Sequence, residues 1–416
     1  MRIVAVMFAL FGAAPVTAQE PGSHLKVYLM TMGPGAEIYE RFGHNAIWIR
    51  DTVARTDRIY NFGMFDVPSD PAGILAFGAK FAMGPPRYWL GVDRSLDVTL
   101  VNYQHFKRDV AAQELNFAPA QRADLAARLE INARDENKFY AYDYFRDNCS
   151  TRVRDILDLE LGGALKRATV GTPAAGTFRF HTQRSITNDK LLFVGIDMAF
   201  GPRVDQPLDQ WDEMFLPEKV ADRIGELTIP GSDGQSEPLA TNKFSLLTIG
   251  AFHVEQKPPP WGIPFLVIGL GIAGLMRLTD ARRINSVVSM FGRVIGGAWM
   301  LLMGAGGMIL LFFWIATQHI ATWANHNLLI ASPLALGLVS SFWYRSTGAP
   351  RPWAPRLAMV LMGSVLVGVF LTLVSGIGGQ QNQLITALTA LPTFVGALEA
   401  LRRSNRRTRS APKPLP

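Results

Sequence analysis

Cysteine is what this sequence has least of: one residue, Cys149, in 416. No intramolecular disulfide can form, so an exported domain built from this chain is held together by its core alone. Metal chemistry has little to work with. The seven histidines are scattered, and neither a His-x-x-Glu-His nor a Cys-x-x-Cys pattern occurs. There is no Gly-rich phosphate loop and no internal repeat, and no cofactor is expected. Acidic residues are scarce in one part only. Residues 261–416 carry 2 Asp/Glu against 13 Lys/Arg, whereas residues 1–260 carry 32 against 28. The basic residues of the second part lie in short clusters between apolar runs. That excludes nucleic acid as a partner and fits membrane topology.

Five apolar segments follow the Pro258-Pro259-Pro260 break, at about 261–276, 291–317, 327–344, 357–377 and 383–401. Each is near the length that spans a hydrocarbon core. Arg277, Arg282 and Arg283 follow the first, and Arg345, Arg351 and Arg356 surround the gap after the third. Arg402, Arg403, Arg406, Arg407, Arg409 and Lys413 fill the tail. The two remaining connections carry no Lys or Arg. The positive-inside rule therefore predicts a cytoplasmic C-terminus, and an odd number of spans puts the front part outside. The start of the chain agrees. Met1-Arg2, the apolar run Ile3 to Gly12 and Val16-Thr17-Ala18 read as a secretory signal. The predicted organisation is a signal peptide over 1–18, a periplasmic domain over 19–255, a linker over 256–260, five transmembrane helices over 261–401, and a basic cytoplasmic tail over 402–416. The setting is a bacterial inner membrane.

In the front part, 26–32 reads as a strand. From His44 the residues alternate, with His44, Ala46, Trp48 and Arg50 on one face and Asn45, Ile47 and Ile49 on the other. Residues 58–63 form a second strand and a plausible hairpin with the first. Tyr88 to Val101 has further strand character, and Gln113 to Ala133 is a helix candidate. Residues 162–250 read as irregular structure with short elements.

Cys149 follows the aromatic run Tyr140 to Phe145 and opens a segment in which Val153, Ile156 and Leu157 share a helical face. Asn148 before it and Ser150-Thr151 after it are helix N-cap types. At a helix start, unpaired N–H groups and the positive dipole end favour a thiolate. The competing reading is a buried structural thiol. A cysteine nucleophile needs a base and a group to orient it. His44, at a strand start after a glycine, is the best base, and Asn61 on the next strand can accept the Nδ1–H of its ring. Each also has an ordinary reading, as a satisfied core histidine and as an edge residue. Asp143, Asp147 and Asp155 near the thiol would oppose its ionisation, and Arg146, Arg152 and Arg154 could offset them. A second place of interest is the uncharged loop with His319, Trp323, Asn325, His326 and Asn327. It reads either as an interfacial anchor or as a partner of the front domain in binding a lipid head group.

Phe42-Gly43-His44, Tyr60-Asn61-Phe62-Gly63 and Asp147-Asn148-Cys149-Ser150-Thr151 resemble the Lnb N-terminal periplasmic domain family, also called domain of unknown function 4105. The loop Trp323 to Leu329 is similar to that family's C-terminal part. The order of histidine first and Asn-Cys later resembles the circularly permuted NlpC-type papain fold, which includes lecithin:retinol acyltransferase-like enzymes. The resemblance implies an α+β papain-like domain followed by the five-helix membrane bundle, and a thiol hydrolase or acyltransferase with His44, Asn61 and Cys149 as its site. Its substrate would be an envelope lipid, a lipoprotein or an amide. The family's name links relatives to a lacto-N-biosidase system, which sustains a second reading: a non-catalytic factor that matures an exported client protein.

Overall fold

The computed structural model describes residues 20–66, 68–84, 87–231, 234–278, 286–343, 351–374 and 379–410. The expected signal peptide and the basic residues Arg282, Arg283, Arg345 and Lys413 lie outside them.

Among the described residues nine strands are formed: β1 (Leu25–Met32), β2 (His44–Asp51), β3 (Thr56–Met64), β4 (Arg87–Asp93), β5 (Val110–Leu115), β6 (Phe139–Ala141), β7 (Thr228–Pro230), β8 (Ser236–Pro238) and β9 (Ala240–Leu247). Seven build one antiparallel sheet in the order β6-β4-β3-β2-β1-β5-β9, and β7 and β8 pair separately. Period-two alternation gives this sheet two apolar faces. Val27, Leu29, Ile47, Ile49, Tyr60 and Phe62 point to one, Tyr28, Met30, Met32, Ala46, Trp48 and Ile59 to the other.

The first face is covered by the helices Pro119–Asn132, Cys149–Glu160 and Pro217–Glu226. Leu125, Leu129, Val153, Leu157, Val220 and Ile224 are fully buried there. Each such side chain contributes about 1.5–3 kcal/mol. The helix Leu96–His105 covers the second face with Leu96, Leu100 and Tyr103. Two boundaries differ from the sequence reading. The strand character after Tyr88 stops at Asp93, because Ser95 caps a helix by accepting the N–H of Val98. The helix expected from Gln113 begins instead at Pro119, since Gln113, Glu114 and Leu115 are taken into β5 beside β1. Proline at the first helical position is well placed there, having no N–H to leave unpaired.

Beyond the linker the chain is helical. Among the described residues four segments are long and apolar enough to cross a membrane: Ser286–Ala316, His326–Trp343, Trp353–Leu373 and Gln383–Arg406. The first of the five expected segments forms the shorter helix Gly262–Arg277, of 16 residues, about 24 Å against a hydrocarbon core of about 30 Å. Arg277 at its end binds Glu399 of the last helix, a carboxylate that Arg402 also holds.

The two parts are joined by a polar lock. The side chain of Asn325 donates to the carbonyls of Met198 and Ala199, at 2.8 and 2.9 Å, and that of Asn327 to the carbonyl of Met198. Gln380 donates to the carbonyl of Phe200. On the front side, the buried guanidinium of Arg179 is clamped by Asp197 and Asp205, and Asp205 in turn accepts the backbone N–H of Gln381. The loop 318–327 therefore meets the front domain. Its amides are used in docking.

Candidate active site

The three segments singled out in the sequence each serve one local need. Gly43 has φ +85, and a Cβ there would lie 2.7 Å from the carbonyl of Met32. Only glycine turns the chain there from the short helix Ile38–Glu40 into β2, which delivers His44 as its first residue. Gly63 has φ +87, and a Cβ there would lie 3.4 Å from Cys149 Cβ, 3.4 Å from the Tyr142 ring and 3.7 Å from the Tyr140 hydroxyl. The positive φ calls for glycine at this point of β3, and Cys149, Tyr142 and Tyr140 pack around it.

Asn148 is the N-cap of the Cys149–Glu160 helix. Its Oδ1 accepts the N–H groups of Ser150 and Thr151, both at 2.9 Å, and Thr151 Oγ1 accepts the N–H of Asn148 at 2.8 Å. Its amide donates to the carbonyls of Tyr144 and Phe215. This box fixes where the helix begins and puts Cys149 at its first position.

The β2–β3 ladder runs from Asp51–Thr56 to Ile47–Tyr60 and goes no further toward His44. His44 and Asn61 lie on the second face of the sheet, whereas Cys149 belongs to the core on the first. They meet where β2 and β3 part. The Nε2–H of His44 donates to Asn61 Oδ1 at 3.2 Å. Asn61 is held in that orientation because its Nδ2 donates to Asp93 Oδ2 at 3.2 Å and to the carbonyl of Ile59. A carboxylate accepts only, so the amide nitrogen must face Asp93 and the oxygen must face His44. Thr99 donates to the same carboxylate oxygen at 3.1 Å. The sequence reading had the ring the other way round, with Nδ1–H on Asn61. The structure uses Nε2 there, which leaves Nδ1 as the nitrogen that can serve the thiol.

Electrostatics agree with this placement. Burial pushes the Cys149 thiol up, but the charge and hydrogen bond of His44 outweigh it. The backbone N–H of Asn45 and the hydroxyl of Ser150 add to this, and the thiol comes down to about 7. The nearby carboxylates have other partners: Asp147 pairs with Arg152, Asp155 with Arg154, and Asp143 accepts the N–H groups of Phe145 and Arg146. Their opposition to ionisation is thereby reduced. Burial first, and the neighbouring thiol second, hold the phenols of Tyr140 and Tyr142 above their ordinary range, so both keep their protons.

The matching families cover both parts. Residues 13–187 match the family model described as the Lnb N-terminal periplasmic domain, and residues 261–391 match that described as the Lnb transmembrane domain. The chain carries both Lnb domains. It is a multi-pass membrane protein with a periplasmic N-terminal domain. No curated protein and no solved structure matches it.

Three residues around this candidate site escaped the sequence reading. Asp93 orients Asn61 from β4, a strand whose pairing with β3, Ile59 opposite Asp93, no local pattern announces. Tyr140 and Tyr142 line the thiol; their signal was an aromatic run next to the cysteine, which composition alone does not separate from core. Among the described residues, no group of three or more His, Cys, Asp and Glu side chains could hold a metal ion.

Proposed function

We propose that this Lnb protein is a membrane-tethered periplasmic thiol hydrolase or acyltransferase that works through an acyl-Cys149 intermediate on an envelope lipid, lipoprotein or amide. The observation that carries this reading is the hydrogen-bonded chain Asp93–Asn61–His44 beside a thiol that the charge of His44 helps lower to about 7. In this mechanism the Cys149 thiolate attacks the acyl carbonyl. The tetrahedral oxyanion faces the N-terminus of the Cys149–Glu160 helix, where the positive end of the dipole favours negative charge. His44 gives its proton to the leaving alcohol or amine as the C–O or C–N bond breaks. Water, or an acceptor amine or hydroxyl, then attacks the thioester while His44 takes the proton, and Cys149 leaves as thiolate. Asn61 holds the ring and Asp93 holds Asn61.

The fold that suits this chemistry is the circularly permuted papain-like one, with histidine on a core strand and cysteine at a helix start. In the membrane, the helix Gly262–Arg277 with the flanking Pro258–Trp261 stretch makes a fifth crossing, which places the C-terminus in the cytoplasm. The rival reading, a non-catalytic factor for an exported client, requires an inert thiol, and the His44 contact argues against one.

Trapping tests the reading. Purified protein is incubated in vesicles of bacterial envelope lipid and examined by intact-mass spectrometry. A hydroxylamine-labile acyl adduct on Cys149, absent from Cys149→Ser, is expected. Folded, alkylatable protein that never acquires an adduct from any envelope acyl donor would sink it.

A further inference from the structure

The helix Pro71–Met83 is apolar and yet none of its residues is buried. Leu75 is 76% exposed, Ile74 and Met83 are each 52% exposed, and Lys80 is its one charged residue. At 13 residues it is about 20 Å long, too short to cross a bilayer. Its C-terminal end is fastened to the outer end of the span Ser286–Ala316. The N–H of Gln318 donates to the carbonyl of Met83 at 3.1 Å, and His319 Nε2 donates to the carbonyl of Phe81 at 2.6 Å. The span's 31 residues, about 46 Å, outrun the hydrocarbon core and end in the headgroup region, so this helix is held there with its apolar side chains uncovered by protein.

A row of rings leads inward from it. Phe81 lies 5.6 Å from His319 and 6.0 Å from Tyr144, and Phe77 lies 6.2 Å from Phe65. Phe65 lies 5.0 Å from Tyr88, and Tyr88 stacks on Tyr142 at 4.1 Å. Tyr142 borders Cys149 across Gly63.

We infer that Pro71–Met83 is an in-plane helix seated in the periplasmic leaflet, and that acyl chains of that leaflet reach Cys149 sideways along the Phe81–Phe77–Phe65–Tyr88–Tyr142 row. An apolar helix of 13 residues that protein does not bury reads as a re-entrant or interfacial segment. The route to Cys149 rests on the acyl-enzyme reading above; the seating of the helix does not.

The seating is tested in the full-length protein carrying Cys149→Ser, with a single cysteine introduced as Leu75→Cys or, as a control in the exposed turn between β2 and β3, Val53→Cys. Each is labelled with a polarity-sensitive fluorophore and reconstituted in vesicles containing doxyl-labelled phosphatidylcholine. Blue-shifted emission at 75, quenched at least twofold more than at 53, is expected. Equal quenching at the two positions overturns the seating, including the case in which another protein covers the helix in cells. The route is tested by photolysis of a phospholipid bearing a diazirine near its acyl terminus. Crosslinks in peptides containing Phe65, Tyr88 or Tyr142 are expected, and crosslinks confined to Pro71–Met83 and the four spans overturn it. Neither readout uses Cys149 chemistry, so acyl trapping can succeed or fail independently of both.

Discussion

Cys149→Ala is expected to lower turnover of an activated acyl ester by at least about 10⁴-fold, the scale on which loss of a nucleophile is felt in enzymes that use one. The same change should cost only about 1 kcal/mol of stability, because the side chain that remains still fills most of the space and one small contact is lost. Initial rates in detergent and an unfolding midpoint measured on the same preparation separate the two effects. A variant that keeps its activity would show that the thiol is structural, whatever its neighbours do to its ionisation.

Arg179→Ala is expected to be the most damaging single change to stability, by about 3–5 kcal/mol. The guanidinium is 1% exposed and bonds Asp197 at 2.6 Å and Asp205 at 2.7 and 3.0 Å. Its removal leaves two buried carboxylates, one of which holds the backbone of Gln381. Unpaired and buried, they would take up protons more readily in the folded state than in the unfolded chain, so the variant should regain stability relative to the parent as pH falls. Thermal unfolding at pH 7 and pH 4.5 checks this. A deficit that stays constant, or grows, at the lower pH would mean that lost packing rather than stranded charge is responsible.

What could be read in advance divides along local and non-local lines. The start of the Cys149 helix was legible because capping is a matter of adjacent residues: Asn148 and Thr151 announce it and the structure uses both. The alternation from His44 was legible for the same reason, and both faces it assigned are occupied as read. The faces did not reveal that His44 and Cys149 start from opposite sides of the sheet and meet where β2 and β3 part. That meeting depends on where a ladder ends, which no single strand encodes. Asp93 was missed on the same ground, since only the β3–β4 pairing brings it to Asn61. Gln113 to Leu115 was given to a helix because Leu125 and Leu129 further on are helical, and β1 claims the residues before Pro119. Four of the five apolar segments were legible by length; the first, expected to span like the others, forms a helix of 16 residues that falls short.

The central claim is that His44 and Cys149 act as a pair, and the most direct test is the rate of Cys149 alkylation across pH in the parent and in His44→Ala. With one cysteine in the chain the signal has a single source. The thiol, ordinarily at 9.0, is brought to about 7 in the folded protein, so alkylation in the parent should rise with a midpoint near 7 and fall away below it. Without His44, burial still pushes upward and the main opposing influence is gone. The midpoint should return to about 9 or above. At pH 7 the thiolate fraction would drop about 50-fold, and the greater nucleophilicity of a more basic thiolate would recover about tenfold of that, for a net loss near fivefold. Superimposable profiles in the two proteins, or a parent midpoint already near 9, would contradict the pair and leave Cys149 a structural thiol.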